Sequence, residues 1–277
     1  MQNAPATAPE VLPTTLVSPP RNAFGVGGVI AHTFSAWRHH LLAFSALTLV
    51  ADIPIFLVSL FGGVPVPGIT APSGNPFARA AAGAAASLPP GFWVAYAATM
   101  LLFLVEVGAI THGVIHHLAG KPVSLAAMIG TGFRRFLPLL AVAVICYLMF
   151  SLGLVLLVVP GVFLACALAV AIPAVVVERP GVFGAIRHSF ALTKKNRLAI
   201  FVSFLVLLVV SMGVTGFGSI LLPQLTSSFA PMLGTLLGLA VNVVFRTLLW
   251  IAPGVVYHDL RAAKEGMQTA QLAAVFE

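Results

Sequence analysis

Six apolar stretches, each of roughly 20 residues, divide this chain, and its charges gather in alternate gaps between them. A helix of about 20 residues, rising 1.5 Å per residue, matches the ~30 Å hydrocarbon core of a bilayer. The expected spans are residues 41–61, 92–118, 136–159, 161–177, 198–218 and 232–257. The third and fourth meet at Val159-Pro160-Gly161, residues suited to a tight turn. The expected fold class is therefore all-α, an integral membrane bundle of six transmembrane helices in three hairpins. Composition agrees: 60% of residues are hydrophobic and only 8% charged, with a mean hydropathy of +1.06. A soluble domain carries about 25% charged residues, and no soluble core of this size leaves so thin a polar coat.

The cations set an orientation. Arg21, Arg38, Lys121, Arg134, Arg135, Arg179, Arg187, Lys194, Lys195, Arg197, Arg261 and Lys264 fall on one side of the spans, and only Arg79 on the other. The positive-inside rule then places both termini in the cytoplasm. Arg246, the last of the 14 Lys and Arg residues, lies within the sixth span. The net charge of +7 is spread thinly beside the spans, which favours anionic lipid headgroups over nucleic acid as a partner. Residues 1–24, rich in Pro, Ala and Thr, are expected to form a disordered cytoplasmic tail, with no signal peptide. Residues 269–277 form a second, shorter tail. In the outer loop, residues 62–91, the Ala-rich stretch 78–86 reads equally as a short helix or a flexible linker.

An internal repeat occupies the cytoplasmic side. Ile30-Ala31-His32-Thr33-Phe34 precedes Trp37-Arg38-His39-His40 and the first span. Ile129-Gly130-Thr131-Gly132-Phe133 precedes Arg134-Arg135 and the third. Ile186-Arg187-His188-Ser189-Phe190 precedes Lys194-Lys195-Asn196-Arg197 and the fifth. Each copy reads as a short amphipathic helix, a basic cluster and a membrane hairpin. In the third copy Phe183, Ile186 and Phe190 share one face while Arg187 and Lys194 share another, the pattern of a helix lying among headgroups.

The run from Val159-Pro160-Gly161 to Glu178-Arg179-Pro180-Gly181, with Ala185, Ser189 and Leu192-Thr193-Lys194, resembles a bacterial membrane-protein family. So does the close, Tyr257-His258-Asp259-Leu260-Arg261 followed by Lys264-Glu265-Gly266. The family is the membrane domain attached to some glycerophosphoryl diester phosphodiesterases, with related stand-alone YciC-like proteins. The resemblance covers roughly residues 25–268 in layout and implies six helices in a bacterial cytoplasmic membrane. It implies no phosphodiesterase activity, since that chemistry belongs to a separate soluble barrel, and it transfers no catalytic residue.

Three ionisable residues lie deep in the spans: Asp52, Glu106 and Arg246. Each costs ~2.5–3.5 kcal/mol at mid-helix and needs a partner. All three lie about 11 or 12 residues from the cytoplasmic ends of their spans, or ~16–18 Å, in one layer. Polar and small residues extend the same faces: Ser45, Thr48 and Ser59 with Asp52, Thr99 and Gly113 with Glu106, and Gly234, Gly238 and Asn242 with Arg246. Spans one, two and six are thus expected to pack around an Arg246 ion pair. Two carboxylates against one guanidinium leave one carboxyl protonated, hydrated or cation-bound. That excess fits either a proton or ion site or a salt bridge that sets helix register.

Other chemistry is sparse. His112 and His116 stand at i, i+4, a spacing able to hold a metal, but no Cys or carboxylate completes the set. His39, His40, His117, His188 and His258 are expected near the same rim. No metal and no cofactor is expected. Cys146 and Cys166 differ in expected depth by roughly 12 Å, too far for a disulfide. Glu178, at the end of the fourth span, is expected to pair with Arg187, and Asp259 lies at the end of the sixth. There is no phosphate-binding loop, nucleophile elbow or paired surface acids. The expected function is a non-enzymatic bacterial membrane protein. Its basic face (Arg38, Arg134, Arg135, Arg187, Lys194, Lys195 and Arg197) would engage anionic lipid, a partner protein or a second copy. The alternative is a small transporter or channel built on Asp52, Glu106, Arg246 and Asn242.

Overall fold

The computed structural model describes residues 24–62, 90–178, 181–226 and 231–275, and its regular structure there is entirely helical. The expected amino-terminal tail and outer loop lie almost wholly outside the described residues. In chain order the helices are α1 Val26–His39, α2 Leu41–Gly62, α3 Pro90–Leu118, α4 Leu125–Arg134 and α5 Phe136–Leu156. They continue with α6 Val158–Leu168, α7 Ala171–Val177, α8 Val182–Thr193, α9 Arg197–Thr226 and α10 Pro231–Val275. Five segments are long and apolar enough to cross a membrane: α3, α5, α6 with α7, α9, and Leu236–Lys264 of α10. In α2 the apolar stretch Leu41–Pro54 is shorter.

Several ends differ from the sequence expectation. The hairpin turn falls at Leu157, which is fully extended (φ −172°, ψ 152°), so α5 stops three residues before the expected Val159. Pro160 then sits in the first turn of α6, where its missing N–H costs no helical bond. The hairpin closes tightly because Gly153 meets Gly161: a Cβ on Gly153 would lie 3.0 Å from the Gly161 Cα. The fourth span is broken at Val170 (φ −108°, ψ 9°), and Pro173 falls in the first turn of the new helix α7 for the same reason. The last helix continues past residue 257 to Val275, through most of the expected carboxyl-terminal tail.

The three short helices α1, α4 and α8 occupy the three repeat positions, and each packs on the helix that ends the preceding hairpin. Helix α4 lies on α3, α8 on α6 and α7, and α1 on α10, so the chain's first helix closes a ring on its last. The fourth residue of each repeat is the seat of this packing: Thr33, Gly132 and Ser189 are all buried. Small residues are needed because the short helix rests on backbone. Gly132 lies against the Val105 main chain, and Met128 reaches Gly113, so α4 runs back along α3 towards its middle. On α8 it is Ala185, Ser189 and Leu192 that turn inward, leaving Phe183 exposed.

The Ser189 hydroxyl donates to the Ala167 carbonyl at 2.7 Å. Ala167 lies in the last turn of α6, where the chain break removes the next turn's donors. Ser189→Ala leaves that buried carbonyl with only the long 3.5 Å contact from the Thr193 hydroxyl and is expected to lower stability by about 1–2 kcal/mol. Thermal unfolding in detergent reads this as a fall of several degrees; an unchanged midpoint contradicts it.

Core residues concentrate where the short helices meet these long ones, among them Ile110, Met128, Val175, Ile251 and Tyr257. Towards the other end, α5 and α9 expose Leu152, Val155, Val209, Met212 and Phe217. Exposed apolar surface on that scale is suited to lipid, not water.

Candidate functional site

Helix α2 presents Thr48 and Asp52, one turn apart, towards α3 and α10. From α3 comes Glu106, only 3% exposed, and from α10 Arg246. The Arg246 guanidinium donates through Nη2 to Asp52 Oδ2. Glu106 is engaged differently: Thr48 donates its hydroxyl to Glu106 Oε1 at 2.5 Å. The cation has therefore selected Asp52, and the excess carboxyl is Glu106. Arg246 Nε is buried without a partner among the described residues. Asn242, one turn earlier on α10, is half-buried.

Two further groups brace this layer, and the sequence reading placed neither there. Trp37 of α1 donates its indole N–H to the Val244 carbonyl at 3.0 Å, with its ring 5.3 Å from that of Phe245. Ser211 of α9 donates to the Phe245 carbonyl at 3.1 Å. Helices α1 and α9 thus hold the turn of α10 that carries Arg246. Trp37 was legible only as one member of a basic cluster.

Beside Glu106 is a groove of about 130 Å³ between α2 and α4, with α3 as its floor. Ala46 and Val50 form one wall, Ile129 and Phe133 the other, and Glu106 is its one ionisable lining residue. Its rims are open, with Val50 and Phe133 largely exposed.

A second polar cluster stands at the basic ends of the helices. Tyr257 donates its hydroxyl to Glu178 Oε1 at 2.5 Å, and Arg261 Nη1 lies 3.4 Å from the same oxygen. His188 Nε2 is 3.3 Å from Glu178 Oε2, close enough for an ion pair though not aligned as a hydrogen bond. The expected Glu178–Arg187 pair is corrected: Arg187 is exposed, and Glu178 is met by His188, Tyr257 and Arg261. The cause is the ~100° step between adjacent helical residues, which turns His188 towards α7 and Arg187 away. Asp259 is bound by His32, whose Nδ1 lies 3.0 Å from both carboxylate oxygens, and by His258 Nδ1 at 3.2 Å. His32 and His188 hold the same position in the repeat, a signal that aligning the copies does contain. Lys264 Nζ donates to the Ala191 carbonyl at 2.8 Å.

Four of the other five histidines pair off, and His39 bonds through Nδ1 to the Ser35 carbonyl at 2.8 Å. His40 Nε2 lies 3.2 Å from His117 Nδ1, and the His112 and His116 rings stack at 4.1 Å. Burial, and then the neighbouring His39, hold His40 below the usual imidazole range. Among the described residues no group of three or more His, Cys, Asp or Glu is arranged to hold a metal. Cys146 and Cys166 are separate free thiols.

Of the basic face, Arg38, Arg134, Arg187, Lys194 and Lys195 are exposed, while Arg135 and Arg197 are half-buried. The Arg197 guanidinium lies 4.1 Å from the Phe163 ring centroid and 5.8 Å from that of Phe190. These cations do not converge on the Asp52–Arg246 layer as one site; all but Arg187, which lies within α8, mark the exits of the short helices.

Comparison with known proteins finds a partial relative that is a bacterial membrane protein. Over 77 residues the chain is 40% identical to the UPF0259 membrane protein of Pectobacterium carotovorum. That segment is 28% of this chain, and the chain spans only 31% of the relative's length. No family model and no solved structure matches the chain.

Proposed function

We propose that this is a six-span, non-enzymatic protein of the bacterial cytoplasmic membrane, with both termini inside and a basic inner face that engages anionic lipid. Helix α2 supplies the sixth span beside the five long segments. The finer kinship, to YciC-like proteins and phosphodiesterase membrane domains, belongs to this reading and is supported by the partial bacterial membrane relative. One observation carries the lipid assignment: the exposed cations Arg38, Arg134, Lys194 and Lys195 sit where a short helix gives way to a long apolar one. A protein partner or second copy would use the same face.

Each cation near an anionic surface contributes about 1 kcal/mol, so neutralising three together costs about 3 kcal/mol, roughly a hundredfold in affinity. The variant Arg187→Gln/Lys194→Gln/Lys195→Gln is expected to bind phosphatidylglycerol roughly a hundredfold more weakly and to lose it on detergent washing, with the difference shrinking in high salt. Equal retention overturns the assignment. Reporter fusions placing the two termini on opposite faces would overturn the topology.

A second reading, a small proton- or cation-coupled transporter, is favoured by one feature. Glu106 faces a groove with Thr48 as its hydrogen-bond partner, while Arg246 is spent on Asp52. It requires substrate or ion flux in liposomes that Glu106→Gln abolishes.

A further inference from the structure

We propose that the groove beside Glu106 binds a small hydrophobic primary amine, its ammonium on the Glu106 carboxylate and its apolar part between α2 and α4. The site is the one used by the transport reading, but binding alone is required here.

The charges of the layer leave room for one cation. Asp52 and Glu106 bring two carboxylates and Arg246 one guanidinium, which is turned to Asp52. Among the described residues Glu106 keeps a single hydrogen bond, from the neutral Thr48 hydroxyl to Oε1. A carboxylate can accept at about four positions, so Oε2 stays open to a donor. Glu106 is only 3% exposed, and the groove is the side from which it is reached. An unpaired buried carboxylate is costly in hydrocarbon, and one bound cation brings the layer to zero net charge.

The walls decide what kind of cation fits. Ala46 and Val50 face Ile129 and Phe133, Leu102 and Val105 complete the floor, and none of these brings a side-chain oxygen. A calcium or magnesium ion takes six or more oxygen ligands and finds one carboxyl. Apolar groups suit the rest of the space. An apolar cavity of about 150 Å³ admits a benzene-sized molecule, so a groove of about 130 Å³ with open rims seats a phenyl ring or a short alkyl chain. The head must be compact, because so little of Glu106 can be touched. A primary ammonium is small and carries three donors, whereas a quaternary ammonium carries none. The exposed rim residues Val50 and Phe133 put the entrance on an apolar flank, so the ligand arrives from lipid.

The test is equilibrium dialysis of labelled 2-phenylethylammonium against the full-length protein in detergent at pH 7, with 2-phenylethanol as the uncharged analogue of similar shape. A hydrogen bond to a charged group corresponds to about 10- to 100-fold in affinity, so the ammonium is expected to bind at least about tenfold more tightly than the alcohol. Glu106→Gln should lower the ammonium to the level of the alcohol and leave the alcohol unchanged. Ala46→Phe, at an exposed position of the wall, narrows the groove with Glu106 intact and should weaken both ligands. The proposal is overturned by absence of ammonium binding or by equal affinity for ammonium and alcohol, which would make the groove an apolar seat for an acyl chain. Undiminished ammonium binding in Glu106→Gln or in Ala46→Phe overturns it as well. If Glu106→Gln does not fold, the wild-type comparison and Ala46→Phe decide the matter. Amine binding without flux in liposomes would sink the transport reading alone; flux that depends on Glu106 without amine binding would sink this proposal alone.

Discussion

Replacing Arg246 by Leu is expected to cut the yield of folded protein severalfold, and replacing Asp52 by Leu in the same chain to restore most of it. Removing one member of a buried pair leaves an uncompensated charge, at a cost of about 3–5 kcal/mol, whereas replacing both by apolar residues is often neutral. In water the partial exposure of these side chains would weaken the pair, but here the surrounding medium is hydrocarbon, in which an unpaired carboxylate costs ~2.5–3.5 kcal/mol even on insertion scales. The structure makes the rescue specific. Arg246 donates to Asp52 while Glu106 is held by Thr48, so Arg246→Leu with Glu106→Gln should remain as poor as Arg246→Leu alone. Fluorescence-detected gel filtration of a tagged protein gives the yields. Equal rescue by both carboxylate replacements would show that the two acids share the arginine.

Gly132 and Gly130 stand two residues apart on α4, yet opposite outcomes are expected on substitution. A side chain on Gly132 would be driven into the Val105 carbonyl, and backbone cannot rotate aside. Gly132→Ala therefore forces α4 off α3, at about 1–3 kcal/mol or more. It also disturbs the neighbouring contact with Gly108, where a Cβ would lie 3.3 Å from the Gly132 Cα. A Cβ on Gly130 meets nothing within 4 Å, so Gly130→Ala should be neutral or gain about 0.5–1 kcal/mol from helix propensity. Thermal unfolding of the two single variants decides it. If both fall together, α4 is sensitive to any change and the packing account fails; if neither falls, α4 does not rest on α3.

Much of the architecture could be read from residue order because lipid imposes local rules. An apolar run of a given length must be helical, and the spans drawn from hydropathy overlap the long helices of the structure. The repeat was legible as well, since each copy stands in its own short helix before a long one. Three rare intramembrane charges could be placed at a common depth by counting residues from span ends. What counting could not supply was rotation and tilt between helices. It left Asp52 and Glu106 as equal candidates for Arg246, because both acids lie at one depth and only the facing of α2, α3 and α10 separates them. It assigned Arg187 to Glu178, where a single step around α8 presents His188 instead. It saw neither the break at Val170 nor the Ser189 hydroxyl that compensates it, since a proline near a span's end marks a weak point without saying where the chain gives way.

The closure of α1 on α10 was furthest from view, because it joins residues more than 200 positions apart through Trp37 and Val244. Residue order alone therefore settles the choice of solvent and the helical class and outlines the long apolar helices, since each follows from the free energy of placing single residues in hydrocarbon. Which acid holds the arginine, how the repeats close into a ring and which histidines latch it belong to the folded bundle, because those energies depend on pairs of groups whose separation only packing sets.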